Sequence, residues 1–227
     1  TWNWNGARWW KFDFHTHTPA SEDYGKGPDQ ARLRSRTHRE WLLDFMRAGV
    51  DCVAVTDHNS GAWIDGLKQA LEELRREQPE GFRELFLFPG VEISVNGGVH
   101  VLALFDPSAA GEKITALLGA VGFTGTSGRS DEVTTRSFTE VVGEIIRVGG
   151  VAIPAHVDEK SGLLATFTGN TLKQAIECAD IVAMEVVDPA WTKPALYTDT
   201  KAAWTEVLGS DSHHPAGNAG QKYPGSR

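Results

Sequence analysis

The stretch Phe12–Tyr24, FDFHTHTPASEDY, places His15 and His17 at the end of an apolar segment. Side chains two positions apart on a strand share a face. We therefore predict a strand over residues 11–15, with Asp13 and the two histidines on the face opposite the phenylalanines. Two imidazoles on one face can bind a common cation, because histidine is the commonest side-chain metal ligand. The pair is weak evidence alone, and its weight depends on the rest of the chain.

Further residues of metal-binding type follow or end the other predicted strands. Apolar and alternating runs predict strands over residues 51–56, 85–91, 93–95, 99–104, 151–155, 181–187 and 205–209. Helical spacing predicts helices over residues 37–48, 61–78, 137–148, 171–178 and 194–203, with a shorter one within 106–120. The candidate ligands at these strands are His58, Glu92, His156, Asp211 and His213. The turn Asn96-Gly97-Gly98 predicts a hairpin that brings His100 back toward Glu92.

The order of strands, helices and ligands predicts the fold class. Alternating strands and helices are typical of an α/β protein, and a β/α barrel builds its active site at the carboxyl ends of its strands. A chain of 227 residues fits one such domain. Six of the eight histidines lie in these positions, which favours a metal centre over a set of separately buried histidines.

The composition places few limits on the substrate. Lysines and arginines number 22 and acidic residues 30, so the formal net charge is −8. Bound divalent cations would reverse the local charge, and the acidic balance therefore does not exclude a nucleic acid or a phosphorylated small molecule. The sequence contains no signal peptide and no apolar run long enough to span a membrane. Cys52 and Cys178 are interpreted as reduced packing residues, and we expect a cytoplasmic protein with no membrane partner.

Several motifs together carry a resemblance to a known family. The segments FHTHT, TDHN, GVEIS, PAHV and SDSH, with the hairpin His100, resemble the successive motifs of the PHP (polymerase and histidinol phosphatase) superfamily. The resemblance runs from Asp13 to His213. It implies a distorted TIM-like (β/α)7 barrel with its metal site at the strand C-terminal ends. It also implies two or three divalent metal ions (Zn, Mn or Fe) and hydrolysis of phosphoester bonds.

Carried over residue by residue, the resemblance implies three metal sites. The first ion would be held by His15, His17, Glu92 and Asp211. Glu92 would bridge to a second ion, completed by His100 and His156. The third would be held by His58, His213 and an acidic residue of the first loop, which is either Glu22 or Asp23; we favour Asp23. The residues expected to act in catalysis are His15, His17, Glu92, Asp211 and His213.

The chemistry of this ligand set fits phosphoester hydrolysis independently of the family. Two close cations lower the pKa of a shared water, so that a metal-activated hydroxide attacks phosphorus near neutral pH. A mixed histidine and carboxylate set suits Zn, Mn or Fe better than Mg or Ca. Asp13 and Asp57 flank ligands and are predicted either to orient imidazoles or to serve, respectively, as a buried hydrogen-bond acceptor and a helix cap.

Candidate substrate contacts are less specific. Arg32, Arg34, Arg36 and Arg39 follow the metal loop and form either a phosphate-binding patch or a solvated loop and helix start. Lys160 and His214 lie near ligands in the sequence and are further candidates. The tryptophan-rich segment 1–10 is either packed across one end of the core or a base-stacking platform. Residues 122–135 are rich in Gly, Ser and Thr, and we expect them to be mobile.

A narrower resemblance bears on the partner. The segment DFHTHTPASEDYG and the SDSHH motif are similar to the N-terminal PHP domain of TrlF-like proteins, in which an AAA/SMC-like ATPase follows. We accordingly expect residues 1–227 to be one PHP domain from a longer protein, acting with a C-terminal or partner ATPase. The favoured function is a nuclease acting on nucleic acid. The alternatives are a small-molecule phosphatase of the histidinol-phosphate or nucleotide type and a regulatory module of the ATPase.

Overall fold

The computed structural model describes residues 9–200, 202–217 and 222–227 as an α/β fold. The strands are β1 Phe12–Asp13, β2 Cys52–Val55, β3 Phe86–Val95, β4 Val99–Leu104, β5 Val151–Pro154, β6 Ala183–Glu185 and β7 Thr205–Val207. The helices are α1 Gln30–Arg34, α2 His38–Arg47, α3 Ile64–Glu77, α4 Gly111–Ala120, α5 Phe138–Arg147, α6 Leu163–Thr166, α7 Gly169–Ile176 and α8 Ala195–Asp199. Within these ranges, no helix is long and apolar enough to cross a bilayer.

The strands form two sheets. One sheet has five strands in the order β1-β2-β3-β4-β5, and the other pairs β6 with β7. The pairs β1–β2, β2–β3 and β6–β7 are parallel, whereas β3–β4 and β4–β5 are antiparallel. The predicted hairpin causes this reversal, because Gly97 and Gly98 adopt positive φ values of 103° and 79° between β3 and β4.

Backbone hydrogen bonds link the two sheets on both sides. The N–H of Val157, just after β5, donates to the carbonyl of Glu185 in β6 over 2.9 Å. On the other side, Asp211 N–H donates to the carbonyl of His15 over 2.8 Å, and His17 N–H donates to Ser212 over 3.0 Å. The five-stranded sheet therefore curls so that its two edges approach the small sheet.

One apolar cluster lies inside this curl. It receives side chains from each of the seven strands or from the residue next to a strand. Its members are Phe14, Ala54, Phe88, Leu102, Leu104, Ile153, Ala155, Ala183 and Val207. A larger apolar core lies on the outer face of the strands, where helices such as α2 and α3 contribute Trp41, Phe45, Leu67 and Leu74.

Two helices begin with a capping box, and one of them is tied to the first loop. Thr37 and Glu40 form a capping box at the start of α2. The predicted capping box of Ser137 and Glu140 is confirmed at α5. The buried indole of Trp41 donates from Nε1 to the carbonyl of His17 over 2.9 Å, which ties α2 to the first loop.

The structure differs from the predicted elements at several points, among them the predicted strands 85–91 and 93–95, which form the single strand β3. The first strand ends at Asp13, and the regular alternation therefore does not extend to His15 and His17. Phe14 packs in the inner cluster rather than outward. The short helices α1 and α6 were not predicted, since five and four residues carry too little periodicity to detect. Most of the tryptophan-rich segment, residues 1–8, lies outside the described residues.

Candidate metal centre

Side chains from six separate parts of the chain meet inside the curled sheet. They are His15 and His17 after β1, His58 after β2, Glu92 on β3, His100 on β4, His156 after β5, and Asp211 and His213 after β7. Glu92 corrects one prediction, because it lies within β3 rather than at its end. The strand continues past Glu92 into the hairpin, and the antiparallel β4 therefore carries His100 near its start.

Glu92 is the centre of this cluster, and it is fully buried. Its Oε1 lies 2.8 Å from His100 Nδ1 and 3.1 Å from His156 Nε2. The distances from its Oε2 are 2.8 Å to His58 Nδ1, 3.3 Å to His15 Nε2 and 3.4 Å to His17 Nε2. One carboxylate thus divides five imidazoles between its two oxygens, as a bridging ligand would.

Asp211 completes a first group of ligand atoms. Its Oδ1 lies 3.2 Å from His17 Nε2 and 3.5 Å from His15 Nε2. These two imidazole nitrogens are 3.2 Å apart. All three side chains are buried, and their ligand atoms converge on one point.

Asp23 belongs to a second group with His58 and His213. Its Oδ2 lies 3.3 Å from His213 Nε2 and 3.4 Å from His58 Nε2. Glu22, the alternative loop ligand, has a side chain that is 59% exposed and lies 3.6 Å from Arg129. The geometry therefore places Asp23 in the cluster and Glu22 outside it.

Three imidazoles are oriented by partners on their far side. The Nδ1 atoms of His15, His17 and His213 face Glu185 Oε2 at 2.7 Å, Ser21 Oγ at 3.0 Å and the carbonyl of Asp211 at 2.8 Å. Each Nε2 consequently points into the cluster. Imidazoles that bind metals are held in the same way, because a hydrogen bond to one nitrogen fixes the tautomer and frees the other.

Glu185 is the residue of this site that the sequence reasoning missed. Besides His15, its Oε2 accepts the backbone N–H of His156 over 2.9 Å. A side chain at Gly209 would place Cβ 2.4 Å from Glu185 Oε1, so a glycine is required there. The available signal was an acidic residue inside the apolar run 181–187, IVAMEVV.

The two flanking aspartates have structural partners. Asp57 accepts the backbone N–H of Thr18 over 2.7 Å and the hydroxyl of Ser21 over 2.8 Å. Since Ser21 also faces His17, Asp57 orients that imidazole through the serine and is not a helix cap. Asp13 accepts the backbone N–H of Ser210 over 2.9 Å, as the prediction of a buried hydrogen-bond acceptor states.

Three residues at the cluster adopt left-handed backbone. They are Asn59, His156 and Asp211, with φ values of 46°, 30° and 49°. Residues other than glycine rarely adopt this conformation, which costs about 1–3 kcal/mol and is concentrated at functional sites. At His156 the local turn directs a ligand inward just after β5 ends.

The segment 122–135, expected to be mobile, is anchored across one side of the cluster. Gly128 donates its backbone N–H to the carbonyl of His58 over 2.8 Å. The side-chain amide of Asn59 donates to the carbonyls of Arg129 and Glu132 over 2.9 and 3.1 Å. The segment is therefore held by hydrogen bonds against the loop that carries His58.

Electrostatics keep the ligand carboxylates ionised. Burial pushes the pKa of Glu92 upward, but the charges of His100 and His15 outweigh burial and hold this pKa well below its usual range. Burial also pushes the pKa of Asp211 upward, but the charges of His15 and His213 outweigh burial and hold this pKa well below its usual range. Metal ligands must be deprotonated, and these two are.

Neighbouring imidazoles respond in opposite directions. Burial lowers the pKa of His58, but Glu92 and Asp23 outweigh burial and raise that pKa to about 10. Burial also lowers the pKa of His17, and the charges of His213 and His58 lower it further, well below its ordinary value. In the metal-free protein His58 therefore carries a proton at neutral pH, while His17 is neutral.

The cluster fits a divalent metal centre. Among the described residues, buried polar atoms without a hydrogen-bond partner are concentrated here: Asp23 Oδ1, His58 Nδ1, Glu92 Oε2, His156 Nδ1, Glu185 Oε1 and His213 Nε2. Such atoms are rare in folded proteins unless water or an ion binds them. His58 Nδ1 and Glu92 Oε2 are 2.8 Å apart without hydrogen-bonding geometry, as ligands of one ion would be. The donor set of imidazoles and carboxylates suits Zn, Mn or Fe.

The predicted arginine patch is largely paired with acidic residues. Arg36 contacts Asp44, and Arg39 Nη1 lies 2.6 Å from Glu77 Oε2. Two further candidates remain near the first loop: Arg32 lies 3.1 Å from the exposed Asp29, and Arg34 Nη2 donates to the carbonyl of Pro19 over 3.5 Å. Lys160 is exposed. The role of these residues in substrate binding stays a prediction.

Two depressions border the Asp23 side of the cluster. A cavity of about 290 Å³ is lined by Asp23, Lys26 and Arg129 among others. A second depression of about 530 Å³ brings Lys26 together with Arg32 and His214, two of the predicted substrate contacts. Acidic groups line the same depressions, with Glu22 and Asp131 in the first and Asp29 in the second.

The fold is shared with solved hydrolase structures. A protein from Bifidobacterium adolescentis, assigned as a metal-dependent phosphoesterase, has a TM-score of 0.60 at 20% identity over 90% of this chain and 88% of that one. An amidohydrolase from Chromobacterium violaceum, with bound sulfate and no metal, has a TM-score of 0.55 at 19% identity over 91% and 88%. The sequence matches no protein-family model and no curated protein.

A lesion-specific endonuclease has a similar fold in part of its chain. Endonuclease Q from Pyrococcus furiosus has a TM-score of 0.61 at 16% identity, covering 90% of this chain and 48% of that one. A complex of endonuclease Q with a 27-mer duplex, which has an abasic lesion at the active site, gives a TM-score of 0.60 at 16% identity over 90% and 49%. The present chain thus spans about half of that endonuclease, and at these identities the similarity establishes a common fold.

Proposed function

We propose that this chain is a metal-dependent phosphoesterase of the PHP superfamily. Glu92 carries the proposal, because its two oxygens divide five imidazoles in a buried cluster. The fold shared with an assigned phosphoesterase and with an endonuclease supports it. The distorted (β/α)7 barrel is proposed on the same basis, supported by the apolar cluster that draws on all seven strands.

The candidate ligands divide into three groups, one for each proposed ion. His15, His17 and Asp211 would hold one ion, and Glu92 would share it with a second at His100 and His156. A third would lie among His58, Asp23 and His213. Bound divalent cations would lower the pKa of a water and neutralise charge on the phosphoryl oxygens. The proposed metals are Zn, Mn or Fe, two or three per chain.

The ligand atoms are held in place before any substrate binds. Glu185 and Ser21 fix the ring orientation of His15 and His17, so that both Nε2 atoms stay directed at Asp211 Oδ1. All three of these ligands are buried. The substrate would therefore approach from the side of Asp23 and His213, whose side chains are more exposed and where Asp23 lines a cavity.

The favoured substrate is a nucleic acid. The depression lined by Lys26, Arg32 and His214, with Asp29 beside Arg32, extends away from the ligands and offers Lys26 and the polar groups around it as contacts for phosphates on either side of the cleaved bond. The cavity of about 290 Å³ beside Asp23 favours a second candidate, a phosphatase acting on a small molecule. Association with a TrlF-type ATPase rests on the sequence resemblance and is proposed on that ground only.

Turnover by the metal-loaded protein tests this function. Labelled single-stranded RNA, single-stranded DNA, a duplex with an abasic site and nucleotide monophosphates would be incubated with Mn²⁺ or Zn²⁺. The double variant His15→Ala/His17→Ala is the inactive reference. His38→Ala is the matched control, since the His38 ring packs at a tilt against Trp63, with ring centroids 4.2 Å apart, outside the cluster.

Each outcome has a distinct meaning. Polymer cleavage that is lost in the double variant and kept in His38→Ala supports the nuclease. Turnover of monophosphates alone supports the small-molecule phosphatase. Activity that survives the double variant, or no turnover of any phosphoester by protein that binds metal, would overturn the proposed function.

A further inference from the structure

Lys222 brings a positive charge to the edge of the metal centre. Its ammonium contacts Asp211 Oδ2 and lies 3.8 Å from Glu159 Oε2. In the ion pairs of the described residues, it is the one lysine or arginine that pairs with a carboxylate of the cluster. The Lys222 side chain is 35% exposed, whereas that of Asp211 is 5% exposed. The ammonium therefore stands between the buried ligands and solvent.

The backbone around Lys222 holds it there. The N–H groups of His213 and His214 both donate to the carbonyl of Lys222, over 3.0 and 3.3 Å. Three positions later the chain turns at Gly225, whose φ is 68°. The N–H of Gly225 donates to Asp13 Oδ2 over 3.4 Å. The segment 222–227 is thus fixed to the end of β1 and to the ligand-bearing segment that follows β7.

The two carboxylate oxygens of Asp211 face different partners, imidazoles on one side and an ammonium on the other. Oδ1 faces His17 and His15, as described above, and Oδ2 faces Lys222. The ammonium can therefore stay in place when Oδ1 binds a cation. An ammonium has three donors, and Asp211 takes one. Donors remain for an oxygen ligand that enters from the exposed side.

We infer that Lys222 binds a non-bridging phosphoryl oxygen of the substrate. The inference rests on the proposed phosphoester chemistry and adds an anion-binding group that no motif of the sequence indicated. Lysine binds phosphate as a point charge, which suits a phosphodiester or a phosphomonoester presented at the metals. Because Lys222 touches substrate and not the cations, its loss should weaken substrate binding without releasing metal.

Binding of inorganic phosphate to the metal-loaded protein tests this directly. Lys222→Ala and Lys222→Gln are compared with wild type by calorimetry, and Lys222→Arg tests whether a cation restores binding. Lys173→Ala is the matched control, since Lys173 pairs only loosely with Glu177 on the surface of α7. A hydrogen bond to a charged group contributes enough that we expect phosphate affinity to fall about 10-fold to 100-fold. Metal content should equal that of wild type.

The same variants separate this inference from the proposed function. In turnover assays, KM should rise for Lys222→Gln with a smaller change in kcat, and Lys222→Arg should recover part of the loss. Unchanged phosphate affinity in folded Lys222→Gln, or loss of metal from it, would overturn the role of Lys222 whatever the activity. Failure of wild type to hydrolyse any phosphoester would instead overturn the proposed function, and phosphate binding would still decide on Lys222.

Discussion

The interior of the curled sheet has two ends that are equally buried and differently built. At one end, Ala54, Leu102 and Ile153 pack in an apolar cluster. At the other end, Glu92 and the imidazoles around it fill the same interior with ionisable groups. We refer to these as the apolar end and the ligand end.

Single strands pass through both ends. On β4, His100 belongs to the ligand end, and Leu102 and Leu104, two and four residues on, belong to the apolar end. On β3, Phe88 and Glu92 are related in the same way. Burial of apolar side chains stabilises the fold without a cofactor, whereas buried atoms without partners destabilise it. Stability and chemistry are therefore placed at opposite ends of the same strands.

Glu92→Gln should have the largest effect, and it should act on metal binding at the ligand end. It removes the charge that all five neighbouring imidazoles share, so metal affinity should fall more than about 100-fold, the upper range for residues that only support ligands. Metal content by mass spectrometry and affinity by competition with a chelator would measure this. Full metal occupancy in Glu92→Gln would contradict the bridging position.

Leu102→Ala is the counterpart at the apolar end. The side chain is 1% exposed, and its truncation should lower the free energy of unfolding by about 2–5 kcal/mol. Metal stoichiometry at saturating metal should stay at the wild-type value. Denaturant unfolding with parallel metal analysis measures both quantities. If the variant lost metal before it lost stability, the two ends would not be separable.

Glu185→Gln should have an intermediate effect. The amide keeps the shape of Glu185 but weakens the hydrogen bond that orients His15, so we expect metal affinity to fall about 10-fold to 100-fold. Glu206→Gln on the neighbouring strand β7 is the matched control, because Glu206 is exposed and pairs with Lys193 away from the cluster. Chelator competition measures the affinities. Equal affinities in the two variants would remove Glu185 from the metal centre.

The smallest predicted effect is a pH dependence. In the metal-free protein the pKa of His58 is raised to about 10 by Glu92 and Asp23, which outweigh burial. Its contribution to stability is therefore complete below its unfolded pKa near 6.5 and is lost as pH rises toward 10. Metal must displace this proton, so metal affinity should strengthen about 10-fold per pH unit for each proton released.

Two measurements check the pH prediction. Calorimetry in buffers of different ionisation enthalpy should report protons released on metal binding at pH 7. Thermal unfolding of the metal-free protein should occur at lower temperature as pH is raised from 7 to 10. Metal binding without buffer dependence would show that His58 is already neutral.

The candidate ligands were more predictable from sequence than the residues that contact them from outside the ligand set. Each candidate ligand except Asp23 stands on or after a strand with a recognisable apolar run, so local pattern located it; Asp23 lies in the first loop, where the sequence left Glu22 as an alternative. His100 required only the hairpin signal of Gly97 and Gly98. Glu185 and Lys222 could not be located in this way, because they meet His15 and Asp211 only through the three-dimensional path of the chain.

The fold was predictable as a class and less so in its details. The alternation of elements predicted the α/β class and most of the helices, because those helices have long amphipathic faces. The predicted alternation of side chains between two faces does not hold after β1, because the strand ends at Asp13, which accepts a hydrogen bond from Ser210. The arginine run looked like one patch, but Arg36 and Arg39 face acidic residues of α2 and α3.

The left-handed backbone at His156 and Asp211 has a consequence for engineering and evolution. Glycine adopts this conformation without the cost of about 1–3 kcal/mol that other residues incur. A selection for heat resistance alone would therefore favour His156→Gly and Asp211→Gly, and it would erase two ligands while improving the scaffold. Sequences optimised only for this backbone should lose the ligand end first and keep the apolar end unchanged.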